Sequence, residues 1–368
     1  MSTDRLVLPA YDGPCVTNVV PALLRPGHPE PDWIPSAAFE ARAVVLLVLD
    51  GLGWNQLQAR TALAPTLSAL EGGPITTVAP STTATALTSI TTGLPPGEHG
   101  VIGYRMNVNG EVLNVLRWST LAGDARETIP PAKVQAIAPF EGQRPAIVTR
   151  AEFVTSGFTG AHLEDTRFTG YRTLGTLTAE VVRLVRGGEP FVYAYYEGLD
   201  KVSHEYGLRE VYDEELHWVD HLVERLLARL PAGTALVITA DHGQVETGDN
   251  VRDLPDEVLA HVASQSGEGR FRWLHARPGQ AGALLEACRA HLGELAWVRS
   301  RQEAIEEGWY GPVVTEAASS RFGDVLVAAK GTVAFNDPLD TGPYVLVGRH
   351  GSLTEDEMLV PLLVGLAR

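Results

Sequence analysis

Four short apolar runs punctuate the chain, at Ala43–Leu49, Phe191–Tyr196, Thr234–Thr239 and 344–347, and each is followed within a few residues by aspartate, histidine or both. Runs of this length without polar alternation suit strands buried on both faces, the habit of parallel strands inside a sheet. Amphipathic helical patterns lie between them, at 176–187 and 213–230. The alternation predicts an α/β fold, a mostly parallel central sheet with helices on both faces. In such sheets chemistry collects beyond the carboxyl ends of the strands. Here those ends read "VLDGLG", "YYEGLDKVSHEYG", "VITADHGQ" and "VLVGRHGS".

At 368 residues the chain exceeds the usual single-domain size, so a large core carrying insertions is expected. Residues 1–368 are read as one parent domain with two insertions. The stretch at about 105–175 is rich in Thr, Gly and Arg, lacks strong periodicity and is read as a lid or substrate-facing segment. The stretch at about 265–335 contains "FRWLHAR", "GALLEACRAHLG" and "AWVRS", and is read as a small α+β subdomain.

Acidic residues outnumber basic ones by 45 to 29, for a net charge of −16. That balance disfavours a nucleic-acid polymer as partner but admits a small phosphate ester, because bound metal supplies positive charge locally. The longest apolar run, "AVVLLVL", is too short to span a membrane. The amino-terminal residues carry no signal-peptide pattern, and the expected compartment is the cytoplasm. Two cysteines in unrelated surroundings suggest neither a disulfide framework nor a thiolate metal site. Oligomeric state is not written in these features.

The strand ends together supply Asp50, Asp200, His204, Asp241, His242 and His350. Three carboxylates and three imidazoles suit two divalent transition ions with mixed oxygen and nitrogen shells. Taken singly, each has an ordinary alternative: Asp50 as a turn or helix cap, Asp200 and His204 as an exposed helical pair, Asp241-His242 as a polar turn, His350 as a turn histidine. Their joint placement is what argues for metal. His217 and His221 also share a ligand-compatible spacing, but they sit in mid-helix and are read as structural or surface residues.

One further stretch, "APSTTATALTSITTGLPPGEHG", is crowded with threonine. It reads either as a small-residue helix packed against the sheet or as a helix opened by a nucleophilic hydroxyl. Asp50-Gly51, this segment closed by Thr92-Gly93, Asp200-x-x-x-His204, Asp241-His242-Gly243 and His350-Gly351 occur in the order found in the alkaline phosphatase superfamily. The chain resembles its nucleotide pyrophosphatase/phosphodiesterase branch from about 44 to 363, with 93–104 similar to the segment after that branch's catalytic helix.

The resemblance implies a hydrolase that attacks phosphorus with a threonine lying nine positions before the Thr of the Thr-Gly pair, hence Thr83, with Thr82 as the alternative. It also implies one ion held by Asp50, Thr83, Asp241 and His242 and another by Asp200, His204 and His350, with His99 structural. Zinc suits the histidine content, while manganese or iron could take the same place. Implied too are a covalent phospho-threonine and a phosphodiester or pyrophosphate substrate.

The chain departs from that branch after the threonine. Where an aromatic, a proline and a phosphate-binding asparagine are expected, it has Ala84, Thr85 and Ala86. Replacement donors would be the backbone at Thr83 and Ala84, or Arg105 or Arg117. A phosphomonoesterase is therefore a second expectation. A non-catalytic metal- or nucleotide-binding module is a third, supported only by "DGLG".

Overall fold

The computed structural model describes residues 5–24, 30–340 and 345–368. Seven strands form the central sheet: β1 (Ala43–Leu49), β2 (Glu71–Thr76), β3 (Ala146–Arg150), β4 (Arg167–Tyr171), β5 (Phe191–Tyr196), β6 (Thr234–Thr239) and β7 (Leu359–Leu366). Their spatial order is β2-β7-β6-β1-β5-β3-β4. The pairs β6-β1, β1-β5, β5-β3 and β3-β4 are parallel, and β7 runs antiparallel to both neighbours. Six of the seven β1 residues and all of β6 are buried, as unbroken apolar runs require.

Three of the four expected strands are present. The fourth is not: Tyr344 lies outside the described residues, and 345–347 form no strand, with Val345 77% exposed. Only Gly348–Arg349 extends, pairing antiparallel with Val245–Glu246. The last sheet strand is instead "LVPLLVGL", whose Pro361 faces Pro74 across the β7-β2 pair. Proline donates nothing to a ladder and argues against a strand in sequence, yet here two prolines oppose each other near the sheet edge.

The stretch at 105–175 is not wholly an insertion. Arg105–Val108, Glu111–Asn114, Ser119–Thr120 and Gly123–Asp124 make a separate antiparallel sheet, whereas β3 and β4 extend the parent sheet. The edge strand β4 is only partly buried along its length, which is why it shows no apolar run in sequence.

A second four-stranded antiparallel sheet begins at Val262, in the order Val262–Glu268, Phe271–Ala276, Val325–Ala329, Ala296–Ser300. Its alternating side chains serve two cores. Phe271, Trp273, Leu326 and Ala328 join the main core, while Leu274, Val325, Val327 and Ala329 pack with Leu284, Cys288 and Leu292 of the Ala281–Leu292 helix. A fully buried ion pair fastens the subdomain further: the Arg270 guanidinium donates to both oxygens of Glu357, at 2.6 and 2.8 Å.

Four helices matter below: α1 (Thr83–Thr92), α2 (Leu174–Arg186), α3 (Gly198–Tyr206) and α4 (Glu210–Arg229). Helix α2 packs on β3, β4 and β5, and α3 packs on α4. None of the described helices is long and apolar enough to cross a membrane.

Candidate metal centre and nucleophile

The three adjacent parallel strands β6, β1 and β5 deliver the three aspartates. Asp50 follows β1 directly, Asp241 leaves β6 after Ala240, and Asp200 lies in the first turn of α3 just beyond β5. Close approach here leaves no room for side chains on the backbone. Gly51 has φ +76°, and a Cβ there would stand 2.9 Å from Gln244 Nε2 and 3.0 Å from Asp200 Cα. His350 arrives from a distant loop, held because Ser81 and Gly351 form an antiparallel bridge at the start of α1.

These side chains converge. His242 Nε2 lies 3.3 Å from Asp50 Oδ1, 3.5 Å from Asp241 Oδ2 and 3.1 Å from the Thr83 hydroxyl. Asp200 Oδ1 lies 3.3 Å from His204 Nε2 and 3.6 Å from His350 Nε2. The rings of His242 and His350 stack at 3.5 Å, joining the two groups.

Two features fit this set to divalent cations. Asp50 Oδ1 and Asp241 Oδ2 are buried without any hydrogen-bond partner, a costly state for carboxylates unless a cation faces them. Each histidine also has one nitrogen committed: Nδ1–H of His242, His350 and His204 donates to the carbonyls of Gly243, Ser81 and Gly348. That fixes the tautomer and leaves Nε2 as the lone-pair donor, the usual arrangement of ligating imidazoles. Asp50, Asp241 and His242 form one group able to hold an ion, and Asp200, His350 and His242 another. His204 stands beside the second.

Electrostatics point the same way. Burial, then the neighbouring Asp241, push the Asp50 carboxyl up to about 7. Burial likewise raises Asp241 and Asp200. Burial opposes charge on His242, yet Asp241 and Asp50 pull its pKa up to about 10, whereas burial and the other two imidazoles hold His350 well below its ordinary value. Without an ion, the protein must neutralise its buried carboxylates with protons.

The threonine-rich run is one fully buried helix, and its hydroxyls divide by position. Thr88, Thr91 and Thr92 turn back to the carbonyls of Ala84, Leu87 and Thr88, so they are satisfied within the helix. Thr83 opens α1 and alone of these points its hydroxyl at His242. Thr82, the N-cap, donates instead to Glu268 Oε2 at 2.6 Å. The two adjacent threonines thus face different partners.

Other sequence candidates are placed elsewhere. Arg105 is buried and bonds Asp337 at 2.6 Å, and Arg117 lies exposed at a turn of the small sheet, which removes the first as an uncommitted phosphate donor. His99 receives a bond from the Val101 N–H and sits 2.8 Å from the Ser89 hydroxyl. Exposed His221 pairs with Glu224, and neither it nor His217 belongs to a metal-capable group among the described residues.

Three supporting residues escaped the sequence reading. The Tyr195 hydroxyl donates to Asp50 Oδ2, and Gln244 donates to Asp200 Oδ1 at 2.6 Å. Both lie close to ligands in sequence, so adjacency was a usable signal. Glu268 comes from the subdomain strand Val262–Glu268, and nothing in sequence links it to Thr82. Burial, partly offset by the Thr82 hydrogen bond, pushes its pKa up to about 8.

A mostly parallel sheet with aspartates and histidines gathered at its carboxyl edge defines an alkaline-phosphatase-like α/β fold. The profile of the type I phosphodiesterase/nucleotide pyrophosphatase family matches residues 44–353, and the chain belongs to that family. No curated protein matches the sequence. Among solved structures, human ectonucleotide pyrophosphatase/phosphodiesterase 5 is similar at 16% identity and TM-score 0.66, over 88% of this chain and 87% of that one. The murine protein is similar at 15% identity and TM-score 0.65, over 87% of each chain. An inactive threonine-to-alanine form of it, solved in complex with AMP, has TM-score 0.63, 15% identity and covers 87% of each chain. Phosphonoacetate hydrolase from Sinorhizobium meliloti 1021, in complex with phosphonoacetate, is similar at 18% identity and TM-score 0.64, over 88% of this chain and 90% of that one.

Proposed function

We propose that the protein is a two-metal phosphoryl hydrolase with Thr83 as nucleophile, acting on small phosphodiester or pyrophosphate substrates of nucleotide-like size. The observation that carries this reading is the pair of buried, unpartnered carboxylate oxygens, Asp50 Oδ1 and Asp241 Oδ2, grouped with His242 Nε2 beside the Thr83 hydroxyl. Asp50, Thr83, Asp241 and His242 would hold one ion, and Asp200, His204 and His350 the other, with zinc suited to the histidine content. Such ions supply Lewis-acid charge that acidifies a hydroxyl and neutralises phosphoryl oxygens.

The chain's own residues account for the remaining chemistry. Thr83 Oγ1 forms a bond to phosphorus as the bond to the leaving oxygen breaks, giving a phospho-threonine that water then hydrolyses. The amino end of α1 offers backbone N–H groups and a positive dipole end to the phosphoryl oxygens. The inactive threonine-to-alanine form of the murine relative supports a threonine in this role, and its AMP supports a nucleotide-like substrate.

The test is Thr83→Ala assayed alongside metal analysis. Turnover of bis-p-nitrophenyl phosphate should vanish while metal content stays near that of the parent; full turnover in the variant rules the reading out. A panel adding p-nitrophenyl phosphate and phosphonoacetate ranks diester against monoester and carbon–phosphorus substrates.

A further inference from the structure

We propose that Glu268 is a positioning residue that keeps the first turn of α1 open to a phosphoryl oxygen, by withdrawing the hydroxyl that would otherwise cap that turn. This inference rests on Thr83 being the nucleophile. A threonine at the N-cap ordinarily accepts a hydrogen bond from the backbone N–H two or three residues on. Thr82 holds that position with extended backbone, φ −133° and ψ 146°, yet α1 has no side-chain cap bond. Its hydroxyl donates across to the subdomain, to Glu268 Oε2.

The diversion is energetically favoured. Glu268 is 8% exposed, and its other oxygen, Oε1, is buried without a partner. Losing the Thr82 bond would leave a whole carboxyl group unpaired in the interior, which outweighs what a helix cap contributes. The side chain is also confined: a Cβ on Gly351, at φ +127°, would stand 2.8 Å from Glu268 Cγ, so the His350 loop closes over it.

What the diversion leaves open is the donor surface beside Thr83. Ala84 and Ala86 have no polar side chains, and the Thr88 hydroxyl is turned back to the Ala84 carbonyl. Arg105 is committed to Asp337. The Ala86 N–H is bonded to the Thr82 carbonyl and the Thr85 hydroxyl is buried without a partner; the N–H groups ahead of Ala86 are donors that this end of the helix offers an anion. A hydroxyl folded onto them would compete with phosphate. Glu268 prevents that from outside the helix.

The experiment measures inorganic phosphate binding to the Zn²⁺-loaded protein by calorimetry. Glu268→Leu fills the space without an acceptor, so the Thr82 hydroxyl should cap the helix and phosphate affinity should fall about fivefold or more. Glu268→Gln keeps an acceptor and should stay within about twofold of the parent. The double variant Glu268→Leu with Thr82→Val has no hydroxyl left to cap, and should recover to within about twofold. Unchanged affinity in Glu268→Leu, or a double variant as weak as Glu268→Leu, overturns the proposal. Thr82→Val alone keeps a side chain of similar shape and should bind phosphate like the parent; a loss there would mean that Thr82 itself contacts the anion, and would also overturn it. Because the readout is binding, a Thr83→Ala protein that still turned over would remove the nucleophile reading without altering these four results.

Discussion

Water reaches the two halves of the candidate metal centre unequally. The side chains of Asp50, Asp241 and His242 are 2%, 0% and 0% exposed, whereas those of Asp200, His204 and His350 retain 14%, 18% and 8%. In the closed half two carboxylate oxygens are buried and unpartnered; no carboxylate oxygen of the open half is among the buried, unpartnered atoms of the described residues. A buried carboxylate oxygen without a hydrogen bond is far more costly than one touching solvent, so a cation in the closed half would serve structure as well as chemistry. The open half lies on one short helix and one loop and could lose an ion without stranding carboxylate oxygens. Thr83 lies on the closed side, its hydroxyl 3.1 Å from His242 Nε2, where a hydroxyl would be least screened from a cation's charge.

The largest effect that would break this division is on turnover. Thr83→Ala should lower kcat by about a thousandfold or more while both ions stay bound, since the remaining ligands are untouched. Loss of the closed-half ion in this variant would show that Thr83 is needed to hold metal. Next come the supporting hydrogen bonds. Tyr195→Phe should weaken binding at the closed half, and Gln244→Leu at the open half, each by about 10- to 100-fold in a chelator titration. If both variants weakened the same ion, the two halves would be one unit.

Chelation itself should sharpen the contrast. Dialysis against a chelator should release one ion at least about tenfold faster than the other, and the melting temperature should drop mainly with the second release, when the closed half empties. A single release phase with one thermal drop would contradict the division.

The smallest expected effect lies away from the metals. Burial, reinforced by Arg321, holds the His99 pKa down to about 3, and burial holds His162 at about 4. Both are neutral in the fold, while an unfolded histidine takes up a proton near pH 6.5, so the unfolded state binds more protons below that value. Stability should be full above about pH 6.5 and decline by a few kcal/mol as the pH falls toward 4. Replacing His99 with glutamine should flatten that decline in acid melts of the metal-loaded protein. An unchanged slope would place the acid sensitivity outside His99.

Much of this architecture was legible before any coordinates. Ala43–Leu49, Phe191–Tyr196 and Thr234–Thr239 announce themselves because strands buried on both faces need unbroken apolar runs, and their polar termini fall where parallel sheets place chemistry. All six predicted ligands come together, and the helix-opening threonine faces them. The misreadings run in two directions. Strand β4 is an edge strand and β7 carries Pro361, so neither shows the periodicity that marks an interior strand, while the run ending at Val347 is apolar yet lies in a loop.

Local pattern thus determined the three interior strands, where the chain leaves each of them, and which side chains stand at their ends, because those follow from short-range periodicity. Tertiary structure alone gave the Thr82 and Thr83 hydroxyls different partners, committed Arg105 to Asp337, and brought Glu268 to the N-cap across 186 positions. Those outcomes depend on contacts between segments far apart in the chain, and a hydroxyl's partner is set by which distant surface packs against it.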